Sequence, residues 1–348
     1  MASAKPFDVG GQAVIEGVMM RSPRSFAVVC RRPSGEIVVK EDAWQPLWAR
    51  AKVLRWPVLR GSIVLLESLM NGLTALTFSA DQQAVAVAVE GAPNSLGARS
   101  AAQPEELSAL AKWGMIAMSF AFGLALFVGA PHLLAWGLGT LLGFDATSFT
   151  FHLADGVIKV FILVGYLAAI SLMPDVKRVF QYHGAEHKSI YTYEKGLPLT
   201  VENARAQTRF HPRCGTSFLL IVVLVSIGLF AALLQGQIAD TVLADHLIKI
   251  VLKIPLMFPI AGLAYEVLKI SGRNQETSRL ARAVAWPGLK LQHITTREPD
   301  DAQLEIALIS IRKTLWRERQ LEAGGTAPPR GIEVYASARE LDLALPLS

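Results

Sequence analysis

Four long apolar runs restrict what this chain can fold into. They are Trp113–Leu142, Val157–Met173, Ser217–Leu234 and about Leu247–Ile270. Each approaches the ~20 residues a helix needs to cross ~30 Å of hydrocarbon. Lipid offers no hydrogen-bond partners to open backbone, so helices must fill them. The second run is short, is stopped by Pro174 and relies on its flanks. Composition agrees: 52% of residues are hydrophobic and 18% charged, against about 25% charged in soluble domains. The deficit of charge falls between residues 113 and 270. The pattern predicts an α-helical integral membrane protein with about four transmembrane helices over 113–270, embedded in a lipid membrane.

The connecting segments set the direction. Residues 141–156 and 235–246 contain no Lys or Arg, whereas 175–216 carries Lys177, Arg178, Lys188, Lys195, Arg205, Arg209 and Arg213. The positive-inside rule then places the 175–216 loop and both termini in the cytoplasm, which an even number of crossings permits. The N-terminus has no apolar h-region and does not read as a signal peptide. Two cysteines, Cys30 and Cys214, give no disulfide framework. The net charge of +5 is accounted for by membrane orientation, so no nucleic-acid partner is expected. Gly61–Ala80 is apolar and nearly long enough to span, but it contains Glu67 and Asn71. Charge at mid-bilayer is costly, so this segment reads as an interfacial or re-entrant helix with Arg55 and Arg60 at the headgroups.

The remaining parts divide by pattern. Residues 1–60 form a small cytoplasmic β element: "SFAVVC" and "EIVVK" flank the turn "RRPSG", a hairpin signature, and "GGQAVIEGVMM" can add a strand. Residues 81–112 read as a low-complexity linker. In 271–323, a C-terminal amphipathic helix follows Pro299 and can be capped by Asp300. Residues 324–348 are expected to be disordered.

Chemistry concentrates in "YHGAEHKSIY", residues 182–191, beside the second run. On a helix, His183 and His187 share a face and could hold one divalent metal, with zinc the first expectation. Glu186 lies on the same turn and could act as base toward water activated by the metal. The spacing His-x-x-Glu-His is that of the inverted zincin motif. Gly184 weakens such a helix by ~1 kcal/mol relative to Ala. A catalytic zinc needs a third protein ligand and an open position. His211, Glu266 and Cys214 are the candidates, in that order of preference; topology brings all three to the cytoplasmic face. Cys214, near a helix start, would favour thiolate. His132, His152 and His246 fall on the opposite side and are set apart from the site.

The blocks "GGQAVIEGVMMR", "YHGAEHKSIYTYE", "FHPRCGTSFLL", "AYEVLKISGR" and "LKLQHITTREPDDAQLEIAL" resemble the YqhQ-like family of bacterial membrane proteins. These carry a domain of unknown function and are described from motifs as metal-dependent enzymes. The similarity runs over nearly the whole chain, apart from 82–108 and the tail. It implies a multi-pass protein of the bacterial inner membrane. It also implies Glu16, His183, Glu186, His187, His211, Cys214 and Glu266 as site residues, with Arg297, Glu298 and Asp300 facing the site. The expected function is a metal-dependent, peptidase-like hydrolase acting on an unidentified substrate at the cytoplasmic interface. The alternative is a non-enzymatic membrane scaffold or assembly factor with a structural metal or none. A transporter ranks last, because Lys159, Lys249 and Lys253 are the few polar groups within the runs and lie toward the far side.

Overall fold

A computed structural model describes residues 7–44, 56–90, 109–145, 147–273, 277–325 and 331–340. Strands Gly10–Val14 (β1), Gly17–Arg21 (β2), Ser25–Arg31 (β3) and Ile37–Ala43 (β4) form an antiparallel meander. The expected hairpin is β3–β4, with Ser25 opposite Ala43 and Arg31 opposite Ile37. The glycine-rich block before it supplies two strands, turning at Ile15-Glu16, where Glu16 takes a left-handed φ of 51°. Gly331–Tyr335 (β5) completes the sheet by pairing with β4. The tail expected to be disordered therefore contributes a strand; residues 326–330 and 341–348 lie outside the described residues. A backbone edge on β4 gains hydrogen-bond partners from this segment, which composition alone did not reveal.

Alternate residues along the strands face opposite sides, and here both sides are covered. Val18, Met20, Val29, Ile37 and Val39 pack against Tyr182 and Ala185 of helix Pro174–Glu194 and against Leu304, Ile306 and Leu308 of helix Asp301–Glu322. Met19, Val28, Cys30 and Val38 face Ala75 and Phe78 of the first helix. That explains why these strands read as continuous apolar runs rather than alternating ones.

The helices, in chain order, are α1 (Leu59–Glu90), α2 (Ala109–Leu124), α3 (Ala130–Leu142), α4 (Phe149–Ile170), α5 (Pro174–Glu194), α6 (Val201–Arg205), α7 (Gly215–Leu233), α8 (Val242–Arg273), α9 (Arg279–Thr295) and α10 (Asp301–Glu322). Five segments are long and apolar enough to cross a membrane: 59–84, 113–142, 149–170, 215–233 and 242–272. Four of them correspond to the four predicted runs. The fifth is the segment read as interfacial or re-entrant: Gly61–Ala80 belongs to one unbroken 32-residue helix that is long and apolar enough to cross. Its first turns lie on α8, where Gly61 and Gly262 let the backbones approach and the Ser62 hydroxyl donates to the Phe258 carbonyl at 2.7 Å. Its later turns leave α8 for the sheet, with Gly72 against the Gln12 side chain and Ser79 Oγ accepting from the Ile15 N–H at 3.2 Å. Glu67, the residue that argued against a span, is buried and faces Arg21 of β2. The helix also takes up the start of the predicted 81–112 linker, as far as Glu90; residues 91–108 lie outside the described residues.

The second span starts earlier than its apolar run. Ser148 caps α4 by accepting from the Phe151 N–H at 3.2 Å, so the helix has 22 residues and needs no help from its flanks. Between α2 and α3 the helix widens into a π turn, Ala125–Gly129, just before Pro131, whose ring nitrogen cannot donate to the preceding turn. After α8, α9 is amphipathic: Leu280 and Trp286 are exposed on a helix that also carries Arg279, Arg282 and Lys290, a composition suited to a membrane interface.

Asp300 caps α10 as expected, in a full capping box with Gln303. The helix differs from the amphipathic one predicted, because it is buried along most of its circumference. Its charged side chains find partners beneath the sheet. Lys313 pairs with Glu41 at 3.2 Å and Glu333 at 2.8 Å, and Arg317 pairs with Glu41 at 2.8 Å. Glu318 accepts from Ser22 Oγ at 2.6 Å and pairs with Arg24.

Candidate metal centre

α5 is the element on which the site is built. Pro174 opens it with a fixed φ and no N–H to satisfy, and Asp175 sits in its first turn, both suited to a helix start. The helix then runs unbroken through His183, Glu186 and His187. The two imidazoles lie with ring centroids 4.4 Å apart, as their four-residue spacing requires. Gly184 does not break the helix. It is the point of closest approach for the segment after α9, because a Cβ there would collide with the carbonyl oxygen of Arg297.

Cys214 caps α7 and joins the two histidines. Its Sγ lies 3.1 Å from His183 Nε2 and 3.1 Å from Thr216 Oγ1, and it accepts from the Thr216 N–H at 3.4 Å. Donor atoms of His183, His187 and Cys214 all lie within 4.8 Å of one another. Each imidazole is held from behind: His183 Nδ1 is 2.7 Å from the Thr295 carbonyl oxygen, and His187 Nδ1 is 2.6 Å from that of Arg209. A carbonyl can only accept, so both Nδ1 atoms carry protons and each Nε2 is the nitrogen left for the cluster. Burial would raise the Cys214 thiol, but His183 and His187 outweigh it and hold the group well below its usual range, as thiolate. Burial would likewise depress His183, but the facing sulfur lifts it to about 9.

Glu186 points toward β1 from the same helix. It is buried, it accepts the Ala13 N–H, and its Cγ and Cδ would lie 2.8 and 2.9 Å from a Cβ at Gly11. Gly11 thus leaves the space the carboxyl occupies. Burial raises the Glu186 pKa, while the two imidazoles oppose the rise.

The other sequence candidates divide. His211, preferred as third ligand, is beside the cluster but not in it. Gln292 clamps its backbone, accepting from His211 N at 2.8 Å and donating to His211 O at 2.7 Å. Its ring then turns Nε2 to Glu194 at 3.3 Å, and burial lowers its pKa to about 4. Glu266 is elsewhere, in a bidentate ion pair with Arg60 of α1 at 2.6 and 2.8 Å. Of the three candidates, Cys214 is the one that joins the two histidines, with His211 next to the cluster and Glu266 apart from it. Glu266→Gln is expected to leave the metal content of the purified protein unchanged and to loosen α1 from α8, read as a thermal midpoint lower by a few degrees, on the order of 1 kcal/mol.

Glu16 reaches α5 one turn before His183, where it pairs with Arg178 and accepts from Tyr182 Oη at 3.2 Å. Its left-handed backbone aims it there. Of the 297–300 block, the Arg297 carbonyl packs on Gly184, Glu298 pairs with Lys188 at 2.9 Å, and Asp300 is used as the α10 cap. Sequence reasoning missed Thr295, Arg209 and Gly11. The first two act through backbone carbonyls and the third through having no side chain, so none carries a chemical signature in its residue type.

Five apolar helices of membrane-crossing length, with a sheet docked on one of them, define the class as a multi-pass membrane protein, and it carries a His-His-Cys cluster in which His187 and Cys214 are buried. The chain belongs to the family of proteins of unknown function DUF1385, whose model matches residues 56–317. It is 33% identical over 307 residues to the uncharacterized protein YqhQ of Bacillus subtilis (strain 168), a match covering 88% of this chain and 92% of that protein. No solved structure matches.

Proposed function

We propose that the chain is a metal-dependent hydrolase of the bacterial inner membrane, peptidase-like in chemistry, with its site at the cytoplasmic edge of the helices. His183, His187 and Cys214 would hold one divalent metal, and Glu186 would serve as general base. The observation that carries this reading is the convergence of three donor atoms within 4.8 Å, two of them on imidazoles fixed in the ligating tautomer by backbone carbonyls. One thiolate and two imidazoles favour zinc among the common divalent ions. Three protein ligands leave the fourth position open, as catalytic sites require. A bound zinc supplies the Lewis acidity that brings the pKa of water to about 7. Glu186 would take the proton from that water, and its raised pKa brings it nearer the working range of a base at neutral pH. Orientation rests on charge: Arg178, Lys188, Arg205, Arg209 and Arg213 surround this end, and the loops at the other end carry no Lys or Arg.

A second reading, a scaffold with a structural metal, is favoured by enclosure: Glu186 and Cys214 are each 5% exposed and His187 2%. Glu186→Gln separates the two. The hydrolase reading expects the variant to keep about one metal per chain and to fail to complement a deletion strain at unchanged protein level. Full complementation with metal retained would leave only the scaffold.

A further inference from the structure

At the end of the helices remote from the metal centre, the fold gathers the groups that the sequence left scattered. Asp155 and Lys159 on α4, Lys253 on α8 and His132 on α3 are each no more than 4% exposed. Ionisable groups are costly inside an apolar bundle and are retained there chiefly for function. Packing does not require them either, since buried ion pairs are commonly replaceable by apolar side chains without loss of stability.

These groups form a chain. Lys159 Nζ lies 3.4 Å from Asp155 Oδ2, and Lys253 Nζ donates to the same oxygen at 3.0 Å. Lys253 Nζ also lies 3.0 Å from His132 Nδ1, and His132 Nε2 lies 2.8 Å from His246 Nδ1. The Phe230 ring of α7 faces both lysines, at 5.1 and 5.3 Å from their nitrogens. Toward the loop end, Lys249 pairs with Asp245 at 2.8 Å, and His152 donates from Nε2 to the Leu234 carbonyl at 3.2 Å.

Two features set this network apart from a closed structural one. Three lysines face two carboxylates, so with neutral imidazoles it holds one positive charge more than it can pair. Two buried lone pairs, on Asp155 Oδ1 and His152 Nδ1, have no partner among the described residues. Losing one proton removes the surplus charge, and the open lone pairs can accept one.

We infer that Lys253, His132 and His246 form a proton relay between the Asp155 carboxylate and the water at the loops joining α3 to α4 and α7 to α8. The hydrogen bonds set the order of transfer. Lys253 gives a proton to His132 Nδ1, His132 passes its Nε2 proton to His246 Nδ1, and His246, an imidazolium once it has received that proton, releases the one on Nε2 to water. Lys253 becomes a neutral amine beside Asp155, and the reverse sequence restores it. This relay is independent of the metal centre, from which it is separated by the apolar layer of Leu163, Leu167, Leu220 and Val223.

Trp136 provides the readout, because its indole stacks on His246 with ring centroids 4.5 Å apart and a protonated imidazole quenches a stacked indole. The full-length protein in detergent is titrated between pH 5 and 9 by tryptophan fluorescence, with Trp136→Phe subtracted. The relay predicts a titration that vanishes in Trp136→Phe. It also predicts midpoints displaced in opposite directions, by about one pH unit, in Lys253→Met and Asp155→Asn. No Trp136-dependent titration, a measurement that needs no buried charge removed, would overturn the relay. A titration unmoved in whichever of the two charge variants remains monodisperse would overturn it equally.

Discussion

Cys214→Ser is expected to empty the metal centre. Wild-type protein purified in detergent should carry about one divalent ion per chain, and the variant below about a tenth of that. His187→Ala should do the same, while His211→Ala keeps most of the ion. The reasoning is geometric. Sγ of Cys214 is 3.1 Å from His183 Nε2 and is held as thiolate by the two imidazoles, which gives a soft anionic donor where the histidines supply neutral ones. Serine's hydroxyl stays protonated near neutral pH and is a poor ligand. His211 directs its ring to Glu194, so its removal touches the surroundings and not the donors. Element analysis of the three variants decides the matter. Metal retained in Cys214→Ser and lost in His211→Ala would refute the ligand set and with it the hydrolase reading.

Gly184→Ala is expected to be the most destructive single methyl group that can be added near the site. A Cβ at this position meets the carbonyl oxygen of Arg297, which is backbone and cannot swing aside. The displaced segment includes Thr295, whose carbonyl orients His183, and it leads directly into α10 beneath the sheet. The cost should be about 3 kcal/mol, with metal affinity falling about 10- to 100-fold as the His183 tautomer loses its partner. Intrinsic helix propensity predicts the opposite sign, a gain of about 1 kcal/mol for Ala over Gly. Thermal unfolding together with metal titration therefore distinguishes tertiary approach from local preference. A variant as stable as wild type would show that α5 and the 295–300 segment are not in contact.

Four of the five apolar helices, the β3–β4 hairpin, the Asp300 cap and the placing of His183 and His187 on one helical face were legible in the residues. Each follows from short-range rules: apolar length, turn residues, capping chemistry and the 3.6-residue period. Which candidate joins the two histidines was not legible, because three reached the same layer and the Gln292 clamp on the His211 backbone accompanies a ring turned to Glu194. The fate of Glu266 depended on Arg60, 206 positions distant along the chain. Residues 61–80 were ambiguous because Glu67 opposed a span, and its partner Arg21 lies on a strand that sequence could not bring near.

By itself the sequence determined which segments are apolar enough to enter a membrane, which end of them is basic, and which helix carries the paired histidines. Those properties depend on neighbours within a few turns of the same chain. Only the tertiary structure decided that Cys214 stands between the histidines, that the last strand closes the sheet begun by the first four, and that scattered intramembrane charges meet as one network. Those outcomes depend on contacts between segments far apart in sequence, where residue type names a possible partner and packing alone selects it.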